Sequence, residues 1–108
     1  MAKAAPFTAI HRHGFVRVAA CTPRISVGDP ARNTAETLEL LREGEARSID
    51  LMLFPELGLS AYAIDDLLLQ DALLDGVERG IGELAAASCD LGCAFVVGAP
   101  VRCNQRLY

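Results

Sequence analysis

Hydrophobic and polar positions divide the chain into short apolar runs separated by two long stretches of helical period. Residues 15–21, FVRVAAC, are apolar and β-prone with one charge at Arg17, which predicts a mostly buried strand. Residues 22–30 hold two prolines and a glycine and read as a connecting loop. Asp29-Pro30 then makes a helix start, with Asp29 as N-cap and Pro30 at the first helical position. Ala31, Ala35, Leu38 and Leu41 recur at helical spacing, while Glu36, Glu39, Arg42 and Glu43 lie largely outside that stripe. This predicts an amphipathic helix over 30–48, which Gly44 weakens without breaking. The continuous apolar run 51–54 follows as a second strand, buried on both faces if parallel to the first. Strand, helix and strand at this spacing form a βαβ unit with a right-handed crossover.

Farther on, Asp65 and Asp66 are placed to cap a short helical turn carrying residues 67–69. Leu74, Val77, Ile81, Leu84 and Ser88 mark a second long helix, whose start is blurred by Gly76, Gly80 and Gly82. Residues 93–98, CAFVVG, predict a third buried strand, and 101–108 open another strand or a hairpin. The order implies α/β layering around a sheet that begins mainly parallel. There is no internal repeat, low-complexity tract or linker. Residues 1–13 read as a flexible N-terminal arm and 14–108 as one unit.

Composition sharpens this picture in one respect. The chain has 108 residues, of which 52% are hydrophobic, and a mean hydropathy of +0.28. That is apolar for so small a domain, and suggests surface meant for a partner or for missing parts of the same fold. The net charge of −4 and the scattering of nine arginines exclude the basic footprint of a nucleic-acid binder. The longest apolar runs are about five to eight residues, far below the roughly 20 that a bilayer requires. The opening MAKAAPFTAIHRHG lacks a continuous apolar segment, so neither a membrane span nor a secretory signal is expected and the cytoplasm is the expected compartment. Cys21, Cys89, Cys93 and Cys103 are expected to be reduced and at least partly buried. The C-x3-C of Cys89 and Cys93 and the H-x-H of His11 and His13 are read as helix-end thiols and arm histidines, not as a metal site.

The strongest chemical candidate is Glu56. Ligands of parallel α/β sheets gather beyond the carboxyl ends of strands, and Glu56 follows the second apolar run by two residues. Pro55 fixes its own φ and keeps Phe54 extended. Partial desolvation beside Phe54 and Leu57 would raise the pKa of such a carboxyl and suit it to general-base work. The competing reading is a solvated or salt-bridged loop acid. Asp65-Asp66 reads as capping and helix-dipole chemistry. Tyr62 is equally a core aromatic or a hydroxyl aimed at a ligand. Gly58 and Gly98 form no phosphate-binding pattern, and no Ser/His/Asp arrangement is identifiable.

FPELGLSAYAIDDLLLQ resembles the first catalytic motif of the nitrilase, or carbon–nitrogen hydrolase, superfamily. More closely, it resembles the amino-terminal glutaminase domain of the glutamine-dependent NAD synthetases. HGFVRVAAC is similar to that family's first strand, VGDPARNTAETLELL to its first helix with lead-in, and VVGAPVRCNQRLY to its third strand and the one after. IDDLLLQDALLDGVE is the part that points to NAD synthetases among the amidases. The resemblance implies a nitrilase-like α-β-β-α sandwich, of which only the first βαβ units are present.

It also implies a Glu-Lys-Cys triad in which a thiolate attacks the glutamine side-chain amide, ammonia leaves, and water releases glutamate from the thioester. Glu56 matches the general base, and Tyr62 the tyrosine of a Ser-Gly-Tyr near the glutamine site. Here that triplet is Ser60-Ala61-Tyr62, and Ala61 would be strained if the backbone needs positive φ. The family's lysine and nucleophilic cysteine come later in its sequence. The chain's one lysine, Lys3, and its four cysteines lie in no matching context.

The resemblance therefore implies an amino-terminal fragment of a glutamine-hydrolysing NAD synthetase, without turnover of its own. Its implied partners are glutamine, the remaining hydrolase and ligase parts, and further copies in a homo-oligomer. No cofactor is implied for this segment; ATP and magnesium would belong to the ligase domain. The alternatives are a fragment of a stand-alone amidase or nitrilase, and a non-catalytic α/β interaction module that unfolds cooperatively as a monomer.

Overall fold

A computed structural model describes residues 4–108. Residues 1–3 of the expected N-terminal arm, Lys3 among them, lie outside the described residues. Three strands, β1 (Val18–Ala20), β2 (Leu51–Leu53) and β3 (Ala94–Val96), form a parallel sheet in the order β1-β2-β3. Val18 pairs with Leu51 and Leu51 with Ala94 in continuous register. Helix α1 (Pro30–Ala46) connects the first two strands, and α2 (Asp71–Ser88) leads into the third. The Asp29 carboxylate accepts from the Arg32 N–H at 3.1 Å, and Pro30 takes the first helical turn, as the sequence predicts. A short hairpin, β4 (Arg102–Cys103) with β5 (Arg106–Leu107), closes the chain. Its turn residues Asn104 and Gln105 have φ of 50° and 61°, both on the left-handed side as a two-residue hairpin turn requires.

The strands are not buried on both faces. Ala19, Met52 and Phe95 face the helices, whereas Val18, Leu53 and Val96 on the other side are 64%, 53% and 53% exposed. The reason is topological. The strand order advances in one direction, so right-handed crossovers place both helices on one face. Leu41 of α1, Val77 and Leu84 of α2, and Met52, Phe54, Leu59 and Cys93 make up the core on that face. The opposite face is an uncovered apolar surface.

The buried face of α1 also differs from the expected stripe. Ala31 and Ala35 are exposed, and Asn33, Thr34, Thr37, Leu41 and Gly44 point inward. The cause is a close helix crossing. A β-carbon on Gly80 would sit 2.3 Å from Thr34 Oγ1, and one on Gly76 would sit 3.2 Å from Pro30 Cγ. Only small groups fit between α1 and α2 at that distance, so the interface selects size over hydrophobicity.

Asp65 and Asp66 do not cap the short turn; they lie inside the 3-10 turn Asp65–Leu69, whose N-cap Ile64 makes no side-chain bond. The four cysteines are free thiols. Cys93 is buried and Cys21 half-buried, but Cys89 and Cys103 are exposed, because one lies just past the end of α2 and the other on the solvent-facing hairpin. Burial pushes the Cys21 and Cys93 thiols up.

At the amino end of the sheet, a 3-10 turn (Ile10–His13) brings His11 Nε2 to 2.9 Å from the Asp50 carboxylate. The Arg17 backbone N–H donates to the same carboxylate at 2.6 Å. These donors, the Arg17 N–H first and His11 second, hold the Asp50 carboxyl below its ordinary range.

Candidate functional site

The carboxyl ends of the parallel strands carry the loop that contains Glu56. Phe54 extends the ladder by donating its N–H to Val96 O at 2.9 Å. Pro55 then turns the chain, and Gly58 N–H returns to Pro55 O at 3.1 Å. Leu57, directly after Glu56, has φ of 53°, and Ala61 has φ of 89°. Both are side-chain-bearing residues in left-handed space, where each costs about 1–2 kcal/mol. Such strain persists only where the surroundings over-determine the backbone.

The surroundings do so from three directions. Leu59 N–H donates to Gly98 O at 3.2 Å, tying the loop to the end of the third strand. Gly28 N–H donates to Ser60 O at 3.0 Å, tying it to the loop before α1. Asn33 Nδ2 donates to Leu59 O at 3.2 Å and to Ser26 O at 2.8 Å, while Asn33 Oδ1 accepts from Ser26 N–H at 2.7 Å. Ser60 and Asn33 are both 0% exposed, and Ser60 Oγ donates to Ala61 O at 3.1 Å. Gly98 lets the two backbones meet: a β-carbon there would lie 2.5 Å from Pro55 O, 2.6 Å from Leu57 N and 2.7 Å from Glu56 Cα.

Glu56 stands at the expected strand end, but its carboxylate is exposed. The partial desolvation expected from Phe54 and Leu57 is absent because Phe54 points into the helix-side core, away from solvent. The ion pairs among the described residues, His11–Asp50, Glu43–Arg47 and Arg102 with Asp71 and Asp75, leave Glu56 aside. Tyr62 follows the strained Ala61 and is 71% exposed, so in this chain it is not a core aromatic. Glu56 and Tyr62 therefore share one clamped segment, with Asp65 and Asp66 on the exposed turn beyond it.

Cys21 also lies at the carboxyl end of the sheet, directly after β1. Cys21 donates its N–H to Leu53 O at 2.8 Å and packs on the helix-side core. A thiol whose pKa is raised by burial is a poor nucleophile at neutral pH. Cys93 lies at the amino end of the sheet, directly before Ala94. Among the described residues no group of three or more His, Cys, Asp or Glu side chains is placed to hold a metal ion. No helix among them is long and apolar enough to cross a membrane.

Sequence reading missed Asn33 and gave Gly98 no role. Asn33 lies inside a helix whose apolar stripe drew attention elsewhere. Its one sequence signal is that Asn is a poor helix former, unexplained in mid-helix unless its amide is engaged.

The chain is thus a mixed α/β unit with a parallel three-stranded sheet and a braced loop at the strand carboxyl ends, the end at which ligands of parallel sheets gather. The same architecture occurs in the solved glutamine-dependent NAD(+) synthetase from Cytophaga hutchinsonii. The TM-score is 0.78 at 22% identity, over 86% of this chain and 16% of that one.

In sequence, the chain is 49% identical over 102 residues to the glutamine-dependent NAD(+) synthetase of Mycobacterium tuberculosis (strain ATCC 25618 / H37Rv), across 94% of this chain and 15% of that protein. It is 33% identical over 95 residues to the same enzyme of Xylella fastidiosa (strain 9a5c), across 87% of this chain and 17% of that protein. No protein-family profile matches the chain. The chain thus matches the amino-terminal portion of glutamine-dependent NAD(+) synthetases and spans about 15% of the length of the M. tuberculosis relative.

Proposed function

We propose that the chain is the opening part of a glutaminase domain of the nitrilase, or carbon–nitrogen hydrolase, type within a glutamine-dependent NAD synthetase, with Glu56 as its general base. The observation that carries this reading is the position of Glu56. It stands on a strained, three-way-braced loop at the carboxyl end of β2, in a chain 49% identical to such a synthetase. On this reading the uncovered sheet face, with Val18, Leu53 and Val96, packs on a second sheet supplied by the rest of the domain, giving the α-β-β-α sandwich. That covering also encloses Glu56 and supplies the desolvation it lacks here.

The chemistry follows from what a carboxylate at this place can do. Glu56 accepts the proton of a cysteine thiol as sulfur attacks the side-chain amide carbon of glutamine, and passes that proton to the leaving nitrogen, which departs as ammonia. It then takes a proton from water as the water oxygen attacks the thioester carbon, and returns it to the departing sulfur as the C–S bond breaks, which releases glutamate and restores the thiol. The thiol and a lysine that steadies the oxyanion come from the rest of the domain, and Tyr62 lies at the glutamine pocket. The released ammonia serves ATP-dependent amidation of nicotinic acid adenine dinucleotide in a ligase part. ATP and magnesium belong to that part, and no residue of this chain is assigned to them. The assembled enzyme is a cytoplasmic homo-oligomer.

The test replaces the matched 102 residues of the M. tuberculosis synthetase with this chain. The hybrid is expected to form NAD with either glutamine or free ammonia as nitrogen source. Glu56→Gln is expected to lower the glutamine-dependent rate by about 10²–10⁴-fold and leave the ammonia-dependent rate in place. An unchanged glutamine-dependent rate in Glu56→Gln would refute the role of Glu56. A hybrid that uses ammonia but never glutamine would refute the glutaminase reading of the segment.

A further inference from the structure

We infer that Asn33 is a positioning residue for Glu56, an inference that rests on the reading of Glu56 as the base. Its amide is fully buried in α1, and it bonds to two separate loops. Ser26, before α1, receives and gives one hydrogen bond each, at 2.8 and 2.7 Å. Leu59, three residues after Glu56, receives the third at 3.2 Å. The Leu59 peptide group is thus held at both ends: its C=O by Asn33, its N–H by Gly98 O at 3.2 Å.

Between that anchored residue and Pro55 stand only Glu56, the strained Leu57 and Gly58. Leu57 at φ 53° gains by relaxing to negative φ. Rotation about its N–Cα bond changes the angle at which the Glu56 peptide leaves the loop, and so where the carboxylate points. The anchor on Leu59 prevents that relaxation. A buried apolar side chain at 33 would fill the space as well, but would leave Leu59 O and the Ser26 backbone groups without partners. Asn33 therefore acts on Glu56 through the backbone, touching neither substrate nor reacting atoms.

The hybrid synthetase described above provides the assay. Asn33→Ser is expected to lower kcat for glutamine by about 10–100-fold, the order that a misplacement near 1 Å produces. KM should stay within about twofold and the ammonia-dependent rate unchanged, the split expected when positioning rather than uniform binding is lost. Adding Leu57→Asn, which accepts positive φ with little strain, is expected to restore most of the lost kcat.

If Asn33→Ser also loses the ammonia-dependent rate, Asn33→Thr decides by the same readouts, since it fills more of the space, adds no buried charge and removes the amide donor to Leu59 and Ser26; loss of the ammonia-dependent rate in both variants assigns Asn33 to stability and overturns the inference. Parental kcat in the deciding variant, or a loss that Leu57→Asn leaves untouched, overturns the inference. Glu56→Gln run in parallel separates the two claims. If it is inactive with glutamine while the Asn33 variant is fully active, only the positioning role falls; if it is active, the reading of Glu56 falls first.

Discussion

Replacing Gly98 with alanine tests the geometry that brings the Glu56 loop onto the third strand. The added methyl would lie 2.5 Å from Pro55 O, 2.6 Å from Leu57 N and 2.7 Å from Glu56 Cα. All three are backbone atoms, so no side-chain rotation relieves the overlap. Ordinary contact at about 3.5 Å requires the loop to retreat by about 1 Å from where it stands. That retreat strains the packing by about 1–3 kcal/mol and breaks the bond from Leu59 N–H to Gly98 O, worth about 1 kcal/mol. The narrower freedom of alanine in the unfolded chain returns about 0.4–1 kcal/mol. The net loss is about 1–3.6 kcal/mol, which lowers the urea midpoint by about 0.5–2 M for a small domain.

Two other glycines calibrate the measurement. At Gly82 an added methyl meets nothing within 4 Å, and alanine is expected to stabilise α2 by about 0.5–1 kcal/mol. At Gly44 it meets the buried side chain of Met52, with Sδ nearest and Cε at 2.8 Å, and repacking of that side chain alone sets the loss at about 1–3 kcal/mol. The assay is urea denaturation followed by circular dichroism at one low chain concentration. A midpoint for Gly98→Ala equal to that of Gly82→Ala would refute the close approach and, with it, the clamp on the Glu56 loop.

Three further outcomes are expected. Ala61→Gly relieves about 1–2 kcal/mol of left-handed strain but loses a buried methyl worth about 0.8 kcal/mol and gains unfolded-state freedom, so its stability should lie within about 0.5 kcal/mol of the parent; a loss above about 1 kcal/mol would show that alanine sits there unstrained. Alkylation at neutral pH, mapped by mass spectrometry, should modify exposed Cys89 and Cys103 first and reach Cys21 and Cys93 only on unfolding, because burial raises both inner thiols; early labelling of Cys93 would contradict its place in the core. Asp50 has a folded pKa below its unfolded one, so its contribution is present above the ordinary carboxylate range and is lost as pH falls through the depressed value. The stability gap between parent and Asp50→Asn should accordingly be level from neutral pH to about 5 and close only in stronger acid; a gap that closes near neutrality would contradict the lowered Asp50 carboxyl.

The elements were legible because their signals are local. Asp29-Pro30 announces a helix, the spacing from Leu74 to Leu84 another, and the runs at 51–54 and 93–98 two strands. What stayed hidden depends on neighbours that no local pattern names. Ala31 and Ala35 look like an inner face, yet the glycine surface of α2 takes Thr34 inward, and the loops at Ser26 and Leu59 take Asn33. The strands read as buried throughout, yet a one-way strand order leaves Val18, Leu53 and Val96 in solvent.

Of the site, Glu56 and its place beyond β2 were legible from the Phe-Pro-Glu sequence, and the strain at Ala61 followed from the residue type once its motif was known. The exposure of Glu56 was not, because it depends on Phe54 turning into the helix-side core, which no local pattern names. Nor was Asn33, whose partners lie on two other segments.

Asn33 also sets the scale on which this region can open. Its three hydrogen bonds make the first turns of α1, the loop at Ser26 and the loop at Leu59 a single cooperative unit. Fraying at the start of the helix therefore loosens the Glu56 loop in the same event. Amide protons on all three segments are expected to exchange together, at a rate governed by α1; separate exchange rates for the Ser26 and Leu59 loops would contradict this.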